Sequence, residues 1–277
     1  MNYKRFIYQG KWALVTGASS GIGKSFAYEL ASRGTNLILS SRSETTLNDI
    51  ARDIRERFEV EIEVVAVDLA ASDAPERLFR KVNVLRRTVQ VLINNAGFGS
   101  YGRLQENSVE GHGRQILLNA FSPAILAQLF LPAMVAAGEG AIINVASIAG
   151  FQPTPYMAVY GASKAFVLSF SEALWAENLN TGVRILALCP GPVDTEFFKA
   201  FGGQEPAAMG RRDTAENTVK TAFGALDRGR SYVISGSPFY FWLSQSGRLV
   251  SRATMARTSE SLLRPSGSQN HKRYINH

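Results

Sequence analysis

Disulfide bonds and cysteine-based zinc clusters are excluded at the outset, because the 277 residues include a single cysteine, Cys189. That usage fits a reducing compartment, and a cytoplasmic location is expected. The N-terminal stretch MNYKRFIYQGKWALVTG lacks a long apolar run after its basic residues. Neither a cleaved signal peptide nor a spanning helix is expected there. Acids are fewer than bases, giving a net charge of +7. The excess is concentrated at one end: Phe241 to His277 holds six basic residues and one acid, a net +5. No zinc-finger spacing or RNP-like aromatic pattern accompanies it, so no nucleic-acid partner is expected. Internal repeats and inter-domain linkers are also missing. The composition, 45% hydrophobic and 19% charged, is that of an ordinary globular domain with a sizeable core.

What is present is a regular alternation. Short apolar runs read as strands: WALVTG, NLILSSR, EVVAVDL, VLINNAG, AIINVAS, RILALCPG and SYVIS. Between them lie helical patterns near Gly23–Arg33, Glu44–Phe58, Ala74–Val84, Gly113–Met134, Tyr160–Leu179 and Ala215–Arg228. Strands this continuous in Val, Ile, Leu and Ala are covered on both faces, which requires crossover helices. The expected fold is α/β: one Rossmann-type, doubly wound, seven-stranded parallel sheet with helices on both faces. Ligands bind such sheets at the carboxyl ends of the strands. Residues 1–240 form the expected catalytic domain. Residues 241–277 form a basic extension, a lid or contact helix followed by a flexible tail after Pro265.

The first strand runs into TGASSGIG and then a helix. Gly17 suits the tight turn, Gly21 the close approach of a phosphate, and Gly23 close helix–strand packing. The spacing differs from G-x-G-x-x-G, and such a turn can also be only a turn, but its place between strand and helix favours a nucleotide pyrophosphate. The second strand ends in Ser41 and Arg42, where a site for NAD would usually carry an acid. Arg42 offers forked donors to a 2′-phosphate; a solvated arginine is the alternative. Asp68 ends the third strand and is either an adenine contact or a turn acid. Asn94, Asn95, Ala96 and Gly97 close the fourth. Asn119 is a polar residue in an apolar helical stretch, and from residue type alone a structural bridge is favoured over the ordering of a water. Pro190 and Gly191 make a stiff turn before Thr195.

Ser147, Tyr160 and Lys164 complete the pattern. Tyr160 and Lys164 are one helical turn apart, hence on one face. A nearby ammonium stabilises a phenolate and brings a tyrosine closer to neutral titration. Ser147 supplies a hydroxyl for a substrate oxygen. Alone, this spacing can also be an exposed helical pair.

In this order, TGASSGIG, Asp68, NNAG, Asn119, Ser147, Tyr160, Lys164 and PGPVDT resemble the short-chain dehydrogenases/reductases, from about Lys11 to Thr195. The resemblance implies Tyr160 as acid/base, Lys164 as the residue that lowers its pKa and binds the nicotinamide ribose, Ser147 as the substrate-oxygen contact and Asn119 as holder of a relay water. It implies NADP(H), with Ser41 and Arg42 like the NADPH-preferring branch. The cofactor-facing set is Gly17, Ser19, Ser20, Gly21, Ile22, Gly23, Ser41, Arg42, Asp68, Leu69, Asn95, Ala96, Gly97, Tyr160, Lys164, Pro190, Gly191, Val193 and Thr195. Phe98, Phe151, Met157, Phe197 and Phe198 flank the motifs and suggest an apolar substrate pocket. No metal site is expected. The C-terminus departs from the 3-oxoacyl-carrier-protein reductases and looks more like the hydroxysteroid dehydrogenase and 3-oxoacyl-CoA reductase subgroup, although that subgroup's N-terminal membrane anchor is not expected here. The expected activity is carbonyl reduction, or the reverse alcohol oxidation, on a bulky apolar small molecule. Alternatives are a 3-oxoacyl-thioester reductase and a non-catalytic NADPH sensor. A homodimer or homotetramer is expected, and membrane-surface contact by the tail ranks behind a lid or oligomer contact.

Overall fold

The computed structural model describes residues 6–197, 212–247 and 250–265. Phe198 and the tail after Pro265 lie outside the described residues. In chain order the elements are β1 (Trp12–Thr16), α1 (Gly21–Ser32), β2 (Asn36–Ser40), α2 (Glu44–Arg57), β3 (Ile62–Val64), α3 (Ala74–Val84), β4 (Val89–Asn94), α4 (Val109–Ile116), α5 (Ser122–Ala136), β5 (Gly140–Val145), α6 (Ala158–Glu177), β6 (Val183–Pro190), α7 (Ala215–Asp227), β7 (Tyr232–Ser235), α8 (Pro238–Ser246) and α9 (Arg252–Leu263). The strands form one sheet in the order β3-β2-β1-β4-β5-β6-β7, and every pair is parallel. The chain thus starts near the middle and winds outward both ways, leaving a crevice where β1 meets β4.

Consecutive residues of the inner strands enter opposite cores, as the two-residue period of a strand requires. Ala13 and Val15 face a core with Phe26, Leu30, Leu47, Ile54 and Phe223, under α1, α2 and α7. Trp12 and Leu14 face a second core with Leu78, Leu126, Phe130 and Met134, under α3 and α5. Residues 12–16 are all buried, which is why β1 reads as an unbroken apolar run. Removing Leu14 down to alanine would cost about 2–5 kcal/mol.

Three segments differ from the sequence expectation. The EVVAVDL strand pairs regularly only over Ile62–Val64, as an edge strand; past it, the Val65 and Val67 amides still bond to the carbonyls of Leu39 and Ser41. The helix expected over 113–134 begins at Val109, because Ser108 caps it by accepting from the Gly111 amide. It then widens into a π-helical turn at Leu117–Phe121 before α5. The run Val109–Ala136 is long and apolar enough to cross a membrane by length and composition alone, and a third of its most apolar window is buried inside the protein. The extension forms two helices rather than one, and α8 crosses position 240.

Candidate active site

One cleft of about 920 Å³ opens at the carboxyl ends of the strands and receives residues from both halves of the sheet. Its size is that of a site for a cofactor with a small substrate. At one end lie the turn after β1, the end of β2 and the β3–α3 loop. At the other lie Tyr160, apolar side chains and the C-terminal helices.

The turn after β1 leads straight into α1. Gly17 has φ +65°, a left-handed conformation that glycine adopts without strain. A Cβ at Gly23 would run into the Gly17 carbonyl and the Asn95 amide, so close packing demands glycine there. Asn95 fixes this corner by donating from Nδ2 to the carbonyls of Thr16 (3.0 Å) and Gly17 (3.2 Å). Ser20 is the N-cap of α1, yet its side chain caps none of the helix N–H groups among the described residues. The N-caps of α2, α4, α7, α8 and α9 all do. The first turn of α1 therefore presents unspent donors and the positive end of the helix dipole to the cleft. That arrangement fits a pyrophosphate.

At the end of β2, Ser41 Oγ is buried without a hydrogen-bond partner among the described residues. Arg42 beside it is exposed, and its charge helps hold the Asp68 carboxyl below the usual range. Burial pushes Asp68 up, but the Ala70 amide and the Arg114 guanidinium outweigh it. Arg114, from α4, pairs with Asp68 at 2.7 Å. An uncommitted hydroxyl beside an exposed guanidinium fits a phosphate ester. The polar end thus matches a phosphorylated dinucleotide in its donors and its shape.

At the other end β5 delivers Ser147 and α6 delivers Tyr160 and Lys164; all three are buried and line the cleft. Ser147 caps a short 3₁₀ turn, its Oγ accepting from the Ala149 amide at 3.1 Å. Lys164 Nζ donates to the Val145 carbonyl at 2.7 Å and stands 5.9 Å from the centre of the Tyr160 ring. Both groups are desolvated at this end of the cleft. Burial pushes the phenol up to about 12, opposed by its hydrogen bond with Ser147. Burial also pushes the Lys164 ammonium down to about 8. Desolvation penalises both charged forms and is the largest cause of each shift. Burial thus favours the neutral, proton-bearing form of Tyr160.

Asn119 sits in the π-helical turn, 1% exposed and behind the cleft wall. Its Oδ1 accepts from the Phe98 amide (3.1 Å), and its Nδ2 donates to the Phe98 carbonyl (2.8 Å) and Ser163 Oγ (3.2 Å). The side chain is thus a bridge between the β4 loop and α6. Residue-type reasoning favours such a bridge, and these side-chain bonds do not bear on the relay-water role that the resemblance implies.

Of the sequence-predicted residues, Gly17, Ser19, Ser20, Gly21, Ile22, Ser41, Arg42, Asp68, Leu69, Asn95, Ala96, Gly97, Pro190, Gly191, Val193 and Thr195 line the cleft, as do Phe98, Met157 and Phe197. Gly23 and Asn119 stand one layer behind. Phe151 is a correction: it packs against the cluster of Ala146, Val167, Leu168, Ala187 and Cys189, its ring 5.7 Å from Tyr232. Adjacency in sequence to Ser147 misled there, because the 3₁₀ turn carries Phe151 around to the sheet. Phe198 lies outside the described residues. Sequence reasoning missed Arg114; it expected a lid or contact helix in the extension but did not name Phe239, Tyr240 and Leu243 of α8 or Leu262 and Leu263 of α9, which line the cleft. The tail's apolar residues at helical spacing were the available signal.

The architecture and site just described have counterparts among known proteins. The short chain dehydrogenase family model matches residues 11–206. The chain belongs to the short-chain dehydrogenases, a family of oxidoreductases. It is 37% identical over 198 residues to the very-long-chain 3-oxoacyl-CoA reductase of Bos taurus, an alignment covering 69% of this chain and 62% of that protein. The chain thus spans somewhat under two thirds of that relative. Among solved structures it resembles a short-chain dehydrogenase from Sphingobium yanoikuyae in complex with NADPH, with a TM-score of 0.77, 30% identity, and coverage of 95% of this chain and 100% of that one. It also resembles the bulky-bulky ketone specific alcohol dehydrogenase from Comamonas testosteroni, with a TM-score of 0.75, 27% identity, and coverage of 96% and 99%.

Proposed function

We propose that this chain is an NADP(H)-dependent carbonyl reductase, working in reverse as an alcohol dehydrogenase, on bulky apolar ketones or aldehydes. The observation that carries the reading is the position of Tyr160. It lies where a polar, phosphate-fitting arm of one cleft passes into an apolar arm, with Ser147 lining the same cleft. The unspent N–H groups of α1 would hold the pyrophosphate, Ser41 and Arg42 the 2′-phosphate, and Lys164 the nicotinamide ribose. When bound, the nucleotide supplies a hydride to the carbonyl carbon.

The protein's own part is to orient the carbonyl and to move a proton. Ser147 and Tyr160 donate hydrogen bonds to the carbonyl oxygen, where negative charge develops. Tyr160 then gives its proton to that oxygen. An alkoxide is a far stronger base than a phenolate. A phenol at about 12 is thus acidic enough to protonate it, and its burial keeps the proton in place until then. The ketone-specific likeness and the apolar walls of Phe197, Leu243 and Leu263 support a bulky substrate.

The bovine relative supports a second reading, a 3-oxoacyl-thioester reductase, with the same proton donor and a longer acyl substrate. NADPH consumption across a panel of ketones, aldehydes and 3-oxoacyl-CoA esters separates the two. Tyr160→Phe should lower kcat by about 10²–10⁴-fold, the usual worth of a general acid, while leaving NADPH affinity within about twofold. Near-normal turnover in that variant sinks the assignment.

A homodimer or homotetramer is also proposed. Phe166 on α6 is 46% exposed and stacks on Phe170, while Ile116 at the end of α4 is 50% exposed and Phe121 in the π turn 36%. The three elements carrying these side chains pack together, so the monomer presents an apolar helical face.

A further inference from the structure

The C-terminal helix α9 is fastened to the two loops that flank the proposed proton donor. Tyr101, in the loop after β4, packs against the Met157–Tyr160 cluster, and its hydroxyl donates to the Leu263 carbonyl at 2.6 Å. That carbonyl belongs to the last turn of α9, where backbone oxygens lack helical partners. Tyr156, in the loop before α6, donates to Glu260 Oε1 at 2.6 Å. Glu260 is gripped from its other side by Arg264, through Nε at 3.1 Å and Nη2 at 2.7 Å. The two loops are tied to each other as well, since the Gly102 amide donates to the Tyr156 carbonyl at 2.9 Å. Tyr156 itself has φ +63°, a left-handed conformation rare for a bulky residue. The turn there aims the ring at α9 at some conformational cost.

We propose that α9 is the specificity-determining wall of the substrate end, positioned there by a clasp of Tyr101, Tyr156 and Glu260. Ser259, Leu262 and Leu263 are the residues it turns to the cleft. One side chain, Tyr101, separates the end of α9 from the Tyr160 cluster, so the placement of Leu263 bounds how far an apolar substituent extends from the reacting carbonyl. The clasp is chemically consistent at neutral pH. Burial and Glu260 hold the Tyr156 hydroxyl protonated as a donor. Arg264 and Tyr156 hold Glu260 ionised as an acceptor. This inference rests on the carbonyl-reductase reading of the cleft and adds the residues that select the substrate.

The test compares the full-length wild type with a Tyr101→Phe/Tyr156→Phe double variant, which keeps both rings and removes both hydroxyls. Its readouts are kcat and KM for one bulky apolar and one small ketone, and hydrogen exchange across residues 252–263. The clasp predicts faster exchange in that segment with the sheet amides unaffected. It also predicts a fall of about tenfold in the bulky-to-small ratio of kcat/KM, carried mainly by KM, since two hydrogen bonds are lost. Leu263→Trp, which fills the wall while keeping both clasp hydroxyls and the backbone carbonyl at 263, should lower the same ratio further. Unchanged exchange overturns the clasp, and faster exchange with an unchanged ratio overturns the specificity role. A wild type that reduces no carbonyl rejects the function reading and the wall's substrate role with it, while the exchange arm still reports whether the hydroxyls hold α9.

Discussion

At the residue scale, Lys164 is buried at 5% exposure with the Val145 carbonyl as its hydrogen-bond partner among the described residues, and its charge is a cost to the fold. Its pKa falls from 10.5 to about 8. Between those values the unfolded chain holds more protons than the folded one, so this group makes stability rise with pH across that window. Below about 8 both states are protonated and the full penalty stands. Each pKa unit is worth ~1.4 kcal/mol, so the penalty is on the order of 3 kcal/mol at neutral pH. Tyr160 works oppositely: raised from 10.0 to about 12, it makes stability fall as pH climbs through that higher window. Lys164→Met should therefore leave a stability gap to wild type that moves in favour of wild type between pH 7 and pH 10. Thermal unfolding at the two values reads it, and a gap independent of pH removes the claim. Arg42 is a separate matter, because it is exposed and its worth depends on the ligand. A charge-assisted contact to a phosphate contributes ~1.5–3 kcal/mol. Arg42→Ala should weaken NADPH about 10–100-fold and leave NADH nearly unchanged, by fluorescence titration. Equal affinities for both nucleotides in the wild type would remove Arg42 from the site.

At the element scale, the β1–α1 corner shows what a strand-to-helix turn needs to become an anion site. Gly23 lets the helix sit against Gly17 and Asn95, which keeps the unspent N–H groups pointed into the cleft. Gly23→Ala should cost about 1–3 kcal/mol of stability by overpacking and should weaken both nucleotides alike. A variant with unchanged melting temperature and unchanged NADPH affinity would show that the corner yields. This corner was legible in the sequence because the glycines mark it directly, as the apolar runs mark the strands. Other elements were not. The π-helical turn at Leu117–Phe121 leaves no mark in apolar periodicity, since one residue added to a turn barely shifts the pattern. The two-helix form of the extension and the approach of Arg114 to Asp68 are tertiary facts. Phe151 shows the converse error, a side chain near the motif in sequence that the fold turns toward the sheet. The net direction of the Tyr160 shift was likewise illegible, because burial depends on everything packed around it.

At the scale of the whole molecule, the cleft joins the two halves of the sheet to the C-terminal helices. Tyr240 of α8 lies on the Pro190–Gly191 turn, where a Cβ on Gly191 would meet its ring at 2.8 Å. The turn after β6 at the cofactor end thus touches α8, whose Phe239, Tyr240 and Leu243 also line the cleft. That contact leaves the opposite flank, α4 to α6, to other work. Phe166 is nearly half exposed on a helix whose inner face carries Tyr160 and Lys164. A charge placed there does not touch the cleft but would be desolvated in any helix-to-helix association. Wild-type protein should therefore run at a multiple of 30.2 kDa in light scattering, and Phe166→Glu should shift it toward that single mass. Because α6 carries the proton donor on its other side, loss of the assembly should also lower melting temperature and activity together, in a manner that depends on protein concentration. A wild type monomeric at micromolar concentration would leave the apolar flank to some other partner and would place all of the site's rigidity within one chain.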